Sequence, residues 1–320
     1  MANFIKTLFG LDKEKKELEA GSVDAPTIPS QEPPGSNEIT KPIRSVFGET
    51  DKSELNDGSQ PQPLQLYASS GQSTGIQRDH NEDALFSLTT ILSSHETELP
   101  FGIYIVADGM GGHQHGEVAS EIAVRTMVDH TIEHLYSYLF SAKASRPTTP
   151  LRDILHEGVQ VAHQAILDQA PGGGTTLTTV IILDKQMAIA HVGDSRVYAI
   201  EDHGSMRALT RDHSLVKRLE ELGQITADEA EIHPQRNILY RALGQGEPFE
   251  PEVITAPTPS SGHLLICSDG LWGVVPEKQI REIITESSRL DQACNQMVEA
   301  ANRAGGPDNI SLILVQLPKR

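Results

Sequence analysis

Cysteine is nearly absent: among 320 residues only Cys267 and Cys294 carry thiols, and neither sits in a CxxC pair. That excludes a disulfide framework or a zinc ribbon and leaves two reduced thiols, Cys267 as a small hydrophobe in the apolar run His263–Cys267. Aromatic residues make up only 4%, so a core must rest on Val, Ile, Leu and Ala. No stretch approaches the roughly 18 uninterrupted apolar residues that a membrane span needs. Met1 to Leu11, with one lysine and no long apolar core, does not read as a secretory signal. Basic residues are also short, at 26 against 44 acidic ones, a net charge of −18. Such a surface repels nucleic acid and anionic lipid on average. The expectation is a cytoplasmic monomer with no nucleic-acid partner and no integral membrane segment. Some of the carboxylates could instead hold cations and so lower the effective charge.

Residues 1–62 differ from the rest. The charge run Lys13–Glu17 is followed by Pro26, Pro29, Pro33, Pro34, Pro42 and Pro61 among Ser, Gly, Gln and Asn. That mixture buries too little apolar surface to offset chain entropy, so a disordered tail is expected. Phe4, Ile5, Leu8, Phe9 and Leu11 have the spacing of one short helix face, either a frayed terminus or a weak docking segment.

A folded domain is expected over 63–320. Its pattern predicts strands at 64–68, 101–107, 176–183, 187–192, 197–200, 263–267 and 310–316. Helices are expected at 117–139, 151–167, 277–284 and 290–304, with a loop at 141–150. Hairpin-spaced strands interrupted by helix pairs imply an α+β architecture, a β-sandwich covered by helices.

Four aspartates fall at strand ends beside glycine. Asp108 ends the apolar strand at Ala107, Asp269 follows the strand ending at Cys267, Asp308 precedes the last strand, and Asp194 follows Gly193. One such Asp alone is an ordinary turn residue. Four at the ends of buried strands would gather on one edge of a sandwich, where unpaired carboxylates repel and raise one another's pKa. A cation relieves that repulsion. All-oxygen ligands select Mg²⁺ or Mn²⁺ over Zn²⁺.

The run Arg78–Ala84, then Ala107–His113, resembles the type 2C metal-dependent (PPM) serine/threonine protein phosphatases of bacterial type. Gly174–Leu177, Gly193–Arg196, Leu209–Ser214, Ser268–Trp272 and Asp308-Asn309 continue the match in order. Seven weak motifs in one order make a specific signal over about residues 64–317. The resemblance implies an αββα sandwich, two central antiparallel β-sheets flanked by helices, with two Mn²⁺ or Mg²⁺ ions at one end. It implies hydrolysis of phosphoserine and phosphothreonine in proteins, the targets of serine/threonine kinases, by a water activated between the ions. Asp108 would bridge the ions, Asp269 and Asp308 would complete one shell, and Glu82 with the Gly109 carbonyl would serve the other. Asp83 would hold metal-bound water and Arg78 would grip the substrate phosphate, an ordinary salt bridge to Asp79 being the bland alternative for Arg78. The same two-ion chemistry would serve a phosphodiesterase or a small-phosphomonoester hydrolase.

Three positions depart from the family pattern. Met110 stands where some members carry a histidine thought to act as general acid, which leaves the proton donor unassigned; His113 and His115 are near only in sequence. A third, weaker ion would use Asp194 and Asp269, but Gly273 replaces an acidic residue that many members add. Residues 213–241 are polar and charged, and resemble a flap near the active site, or else a plain surface helix and loop. Ser195 is expected to be structural, since the chemistry needs no serine nucleophile.

Overall fold

The computed structural model describes residues 64–94, 97–111, 114–141, 149–246 and 249–319. The expected tail over 1–62 and His113 lie outside the described residues.

Apolar residues alternate between two buried faces, and this sets the layers. In β3 (Thr97–Ala107), Phe101, Ile103, Ile105 and Ala107 face one core, while Tyr104 and Val106 face another. In β12 (Ile310–Gln316), Ile310, Leu312 and Leu314 pack outward under helices, while Ile313 and Val315 join Tyr104 and Val106. A strand whose two faces are both buried reads as a continuous apolar run, because each period-2 face meets a different hydrophobic layer.

The two sheets follow from this. One has the order β1-β12-β11-β8-β9 and the other β10-β7-β6-β3-β2, with every pairing antiparallel. The remaining strands are β1 (Tyr67–Ser73), β2 (Ala84–Ser94), β6 (Leu177–Leu183), β7 (Gln186–Val192), β8 (Arg196–Ile200), β9 (Met206–Ala208), β10 (Glu252–Pro257) and β11 (His263–Cys267). A two-residue ribbon pairs β4 (Gly109–Met110) with β5 (Gly174–Thr175). Helices α1 (Gln114–Leu139) and α2 (Leu151–Gln169) cover the second sheet, with Met127, Ile154, Val159 and Ile166 in that core. Short helices α3 (Leu215–Glu221), α4 (Ala227–Glu231) and α5 (Asp269–Trp272) follow. Then α6 (Glu277–Glu286) and α7 (Leu290–Arg303) cover the first sheet through Ile280, Ile284, Cys294 and Met297. The architecture is the expected αββα sandwich.

Local expectations needed correction in places. The first strand runs from Tyr67 to Ser73 rather than 64–68, because its polar Ser-Gly-Gln half is held by pairing with β12 and shows no apolar alternation. The strand expected over 176–183 starts one residue later, as β6, and β5 lies just before the expected range. The edge strands β2, β9 and β10 and the small ribbon escaped the pattern, since edge pairing depends on a neighbour and not on local composition.

Candidate active site

Strand register brings the acidic residues to one end of the sandwich. Ala84 pairs with Ala107, which sets Glu82 and Asp83 beside Asp108. Val106 pairs with Thr178 and Leu177 with Val192, which adds Gly193-Asp194 at the same end. In the other sheet Cys267 pairs with Leu312, so Asp269 just after β11 meets Asp308 just before β12.

Hydrogen bonds then fix the backbone. The carbonyl of Asp108 accepts from the Thr176 N–H and the Thr175 hydroxyl, both at 2.9 Å, and the Asp108 N–H donates to Thr176 Oγ1 at 2.9 Å. Thr176 Oγ1 in turn lies 2.8 Å from Ser195 Oγ. The Gly-Thr-Thr segment is therefore a clamp on Asp108, and Ser195 braces it, in the structural place expected. Asn309 ties a second loop. Its Oδ1 accepts from the Glu82 N–H at 2.8 Å, and its Nδ2 donates to the carbonyls of Thr74 and His80, each at 2.9 Å. Ser120 of α1 donates to the Glu82 carbonyl at 2.6 Å. Gly116, also on α1, lets the Glu82 carboxylate close in: a Cβ there would fall 2.3 Å from Glu82 Oε2.

The electrostatics are those of anions crowded out of water. Asp83 is only 8% exposed and accepts from Ser268 Oγ at 3.0 Å through Oδ2, while its Oδ1 has no partner. Burial, then Asp269 and Asp308, push its pKa up to about 7 against the pull of Ser311 and Ser268. Asp269 Oδ1 is likewise buried without a partner. Burial and Asp308 push Asp269 up to about 6, opposed by its hydrogen bond with the Asp108 carboxyl. Asp108 stands well above the carboxylate range through burial and the charges of Asp83, Asp269, Asp194 and Asp308. Asp194 does so through burial, Asp269 and Asp212. Asp308 instead meets Arg78: its Oδ2 accepts from a guanidinium nitrogen at 2.7 Å. Arg78 is half exposed, and its salt bridge runs to Asp308 rather than Asp79.

Buried carboxylates without partners, in an all-oxygen donor set, fit hard divalent cations. These carboxylates converge without packing into a tight trio. Among the described residues, only His130, His134 and Glu157 bring three ligand atoms all within 4.8 Å of one another.

The sequence reading missed three supports. Asn309 was seen only as part of a motif. Arg196 makes a two-pronged salt bridge to Asp212, at 2.9 and 2.6 Å, with its guanidinium 3.4 Å over the Trp272 ring. Trp272 then donates to the Asp194 carbonyl at 3.0 Å, so this stack holds the Asp194 loop. The signal lay in Gly-Asp-Ser-Arg, Arg-Asp-His and Asp-Gly-Leu-Trp, but nothing local says that they touch. His115 is exposed and gains no partner at the carboxylates. Residues 213–241 hold α3, capped by the Ser214 hydroxyl, and α4, closed by a Thr226–Glu229 capping box. Their ends are anchored beside the site, His213 N–H on the Gly193 carbonyl at 2.7 Å and Leu243 N–H on the Thr175 carbonyl at 2.9 Å. A cavity of about 690 Å³ between residues such as Ile189, Arg207 and Pro259 shares none of the acidic residues of this site.

Residues 67–310 match the family described as Protein phosphatase 2C. Over 220 residues the chain is 40% identical to the serine/threonine phosphatase stp of Listeria monocytogenes, covering 67% of this chain and 84% of that one. It is similar to the solved Mycobacterium tuberculosis serine/threonine phosphatase PstP/Ppp, with TM-score 0.64 and 30% identity over 80% of this chain and 100% of the other. It is similar also to the PstP catalytic domain solved in complex with 2 manganese ions, with TM-score 0.62 and 28% identity over 79% and 99%.

Proposed function

The chain belongs to the protein phosphatase 2C family and is a hydrolase, and on that premise we propose that it removes phosphate from phosphoserine and phosphothreonine in proteins, using two divalent cations. The observation that carries this reading is the convergence of Asp83, Asp108, Asp194 and Asp269 at one end of the sandwich, with a buried carboxyl oxygen lacking a partner on Asp83 and on Asp269. Asp108, Asp269, Asp308, Glu82 and the Gly109 carbonyl would hold the two ions, Mn²⁺ or Mg²⁺. Asp194 and Asp269, whose charges already press on each other, would take a third and weaker ion.

When bound, such ions acidify water and neutralise charge building on phosphorus. The protein supplies the rest. Arg78 offers planar N–H donors that match phosphate oxygens and orient the ester. Asp83, whose Oδ1 is buried without a protein partner, would hold the attacking water. The Thr175–Thr176 clamp and Asn309 keep Asp108 and Glu82 in place.

Residues 213–241 act as a flap on which the substrate chain docks: Leu222, Ile232, Ile238 and Tyr240 leave apolar surface exposed there. Among the described residues no helix is long and apolar enough to cross a membrane. On this reading the enzyme is a monomer acting on phosphoproteins in the cytoplasm.

The test is an assay of the full chain on a phosphothreonine peptide and a small aromatic phosphate, before and after chelation. Chelation should abolish peptide hydrolysis and Mn²⁺ or Mg²⁺ should restore it. Activity indifferent to chelator, or confined to the small phosphate, would remove the proposal.

A further inference from the structure

Two histidines and a glutamate on the outer helices form a cluster that the carboxylate centre does not use. His130 and His134 stand four residues apart on α1, which puts both on one face of the helix. Glu157 projects from α2, which packs against α1. Each of the three offers one ligand atom, and all three atoms lie within 4.8 Å of one another. The imidazole rings are 4.1 Å apart, centre to centre.

The hydrogen bonds leave one nitrogen free on each ring. His134 Nδ1 sits 2.8 Å from the His130 carbonyl. A carbonyl only accepts, so Nδ1 carries the proton and Nε2 keeps its lone pair. This is the arrangement in which a metal-bound histidine gives its other N–H to a backbone oxygen. His130 is only 8% exposed, yet its Nε2 has no hydrogen-bond partner. A buried imidazole nitrogen without a partner costs free energy unless something fills the position. Burial first, then the neighbouring His134, lowers the pKa of His130, against the opposing pull of Glu157. Both favour the neutral ring, the form in which a histidine binds a metal. Gly158 admits the ring, since a Cβ there would fall 2.9 Å from His130 Cδ2.

We propose that His130, His134 and Glu157 form a second metal site, specific for a zinc-class transition ion, which clasps α1 to α2. Two imidazole nitrogens and one carboxylate suit Zn²⁺ and not Mg²⁺, in contrast to the all-oxygen end of the sandwich. Three protein ligands leave a fourth position to solvent on the exposed Glu157 side. The site stands apart from the phosphatase reading and does not depend on it.

The test uses the full chain stripped of metal, titrated with Zn²⁺ against a chromophoric chelator. The wild type is compared with His134→Ala and Glu157→Gln, and with Asp108→Ala as a control for the carboxylate centre. His134→Ala and Glu157→Gln should each lose one zinc equivalent, or bind it at least about tenfold more weakly, while Asp108→Ala keeps it. Co²⁺ in the wild type should give the intense visible absorption of a low-symmetry nitrogen-containing site, and the two helix variants should lose it. Zn²⁺ at a hundredfold excess over its Kd should raise the wild-type Tm by about 5–10 °C, and not that of Glu157→Gln. Glu157 is exposed, so this variant keeps the test alive if His134→Ala folds poorly. Identical zinc stoichiometry and identical Co²⁺ spectra in wild type and both helix variants would overturn the site.

Discussion

Replacing Asn309 with Ala probes how the site is held rather than what it holds. The side chain is 5% exposed and makes three hydrogen bonds to backbone, at 2.8, 2.9 and 2.9 Å. Truncation leaves the Glu82 N–H buried without an acceptor, which costs about 1–3 kcal/mol. The carbonyls of Thr74 and His80 are better placed to find water, and together add roughly 1 kcal/mol. A total near 3 kcal/mol lowers Tm by about 6–12 °C in a domain of this size. The loop that it ties carries Arg78, Glu82 and Asp83, so function should suffer beyond stability. Loss of such an outer support weakens metal activation by roughly 10–100-fold. The assay pairs calorimetry with a Mn²⁺ activation curve on a phosphothreonine peptide at a temperature where both proteins are folded. Asn309→Asp keeps the acceptor for the Glu82 N–H but sets a carboxylate oxygen against the Thr74 and His80 carbonyls, so it should be no more stable than Asn309→Ala. An Asn309→Ala protein with wild-type Mn²⁺ dependence and a Tm within about 2 °C would refute the clamp, since the bonds would then contribute nothing net.

Other expectations follow from the same geometry. Asp108→Ala should abolish turnover and weaken binding of at least one ion, read by single-turnover kinetics and Mn²⁺ titration; full activity would remove Asp108 from the centre. Gly116→Ala should push the Glu82 carboxylate away and weaken Mn²⁺ activation while Tm holds or rises, because Ala favours helix by about 1 kcal/mol over Gly; a parallel fall in both would mean global damage instead. In chelated protein, Asp83 near 7, against about 3.9 unfolded, binds more protons folded than unfolded, so its contribution falls as pH rises from about 4 to 7. Asp83→Asn should therefore match the chelated wild type more closely at pH 5 and exceed its stability at pH 8 by up to roughly 2–3 kcal/mol. Comparing the two proteins at each pH cancels His191 and His213, whose burial-lowered pKa values act in the opposite direction. A variant less stable than wild type at pH 8 would contradict the burial of that charge.

Much of this protein was written locally. The runs at 101–107, 263–267 and 310–316 announced strands because both faces are buried, and α1, α2, α6 and α7 announced themselves by helical spacing, to within a few residues at their ends. Aspartates beside glycine at strand ends, together with ordered motifs, were enough to expect Asp108, Asp194, Asp269 and Asp308 at one edge of the sandwich. What the chain alone could not decide was contact between distant segments. The edge strands β2, β9 and β10 exist because a neighbour offers hydrogen bonds, and composition carries no record of a neighbour. Asn309 becomes a clamp only when β12 starts beside the loop before β2, a separation of more than 200 residues. The stack of Asp212, Arg196 and Trp272 joins three motifs that look independent in order. His130, His134 and Glu157 read as scattered polar positions until α1 and α2 pack and their ligand atoms meet. Periodicity reports which face is buried. Only the folded chain decides what lies against it, since pairing and side-chain geometry are set by packing across the sandwich.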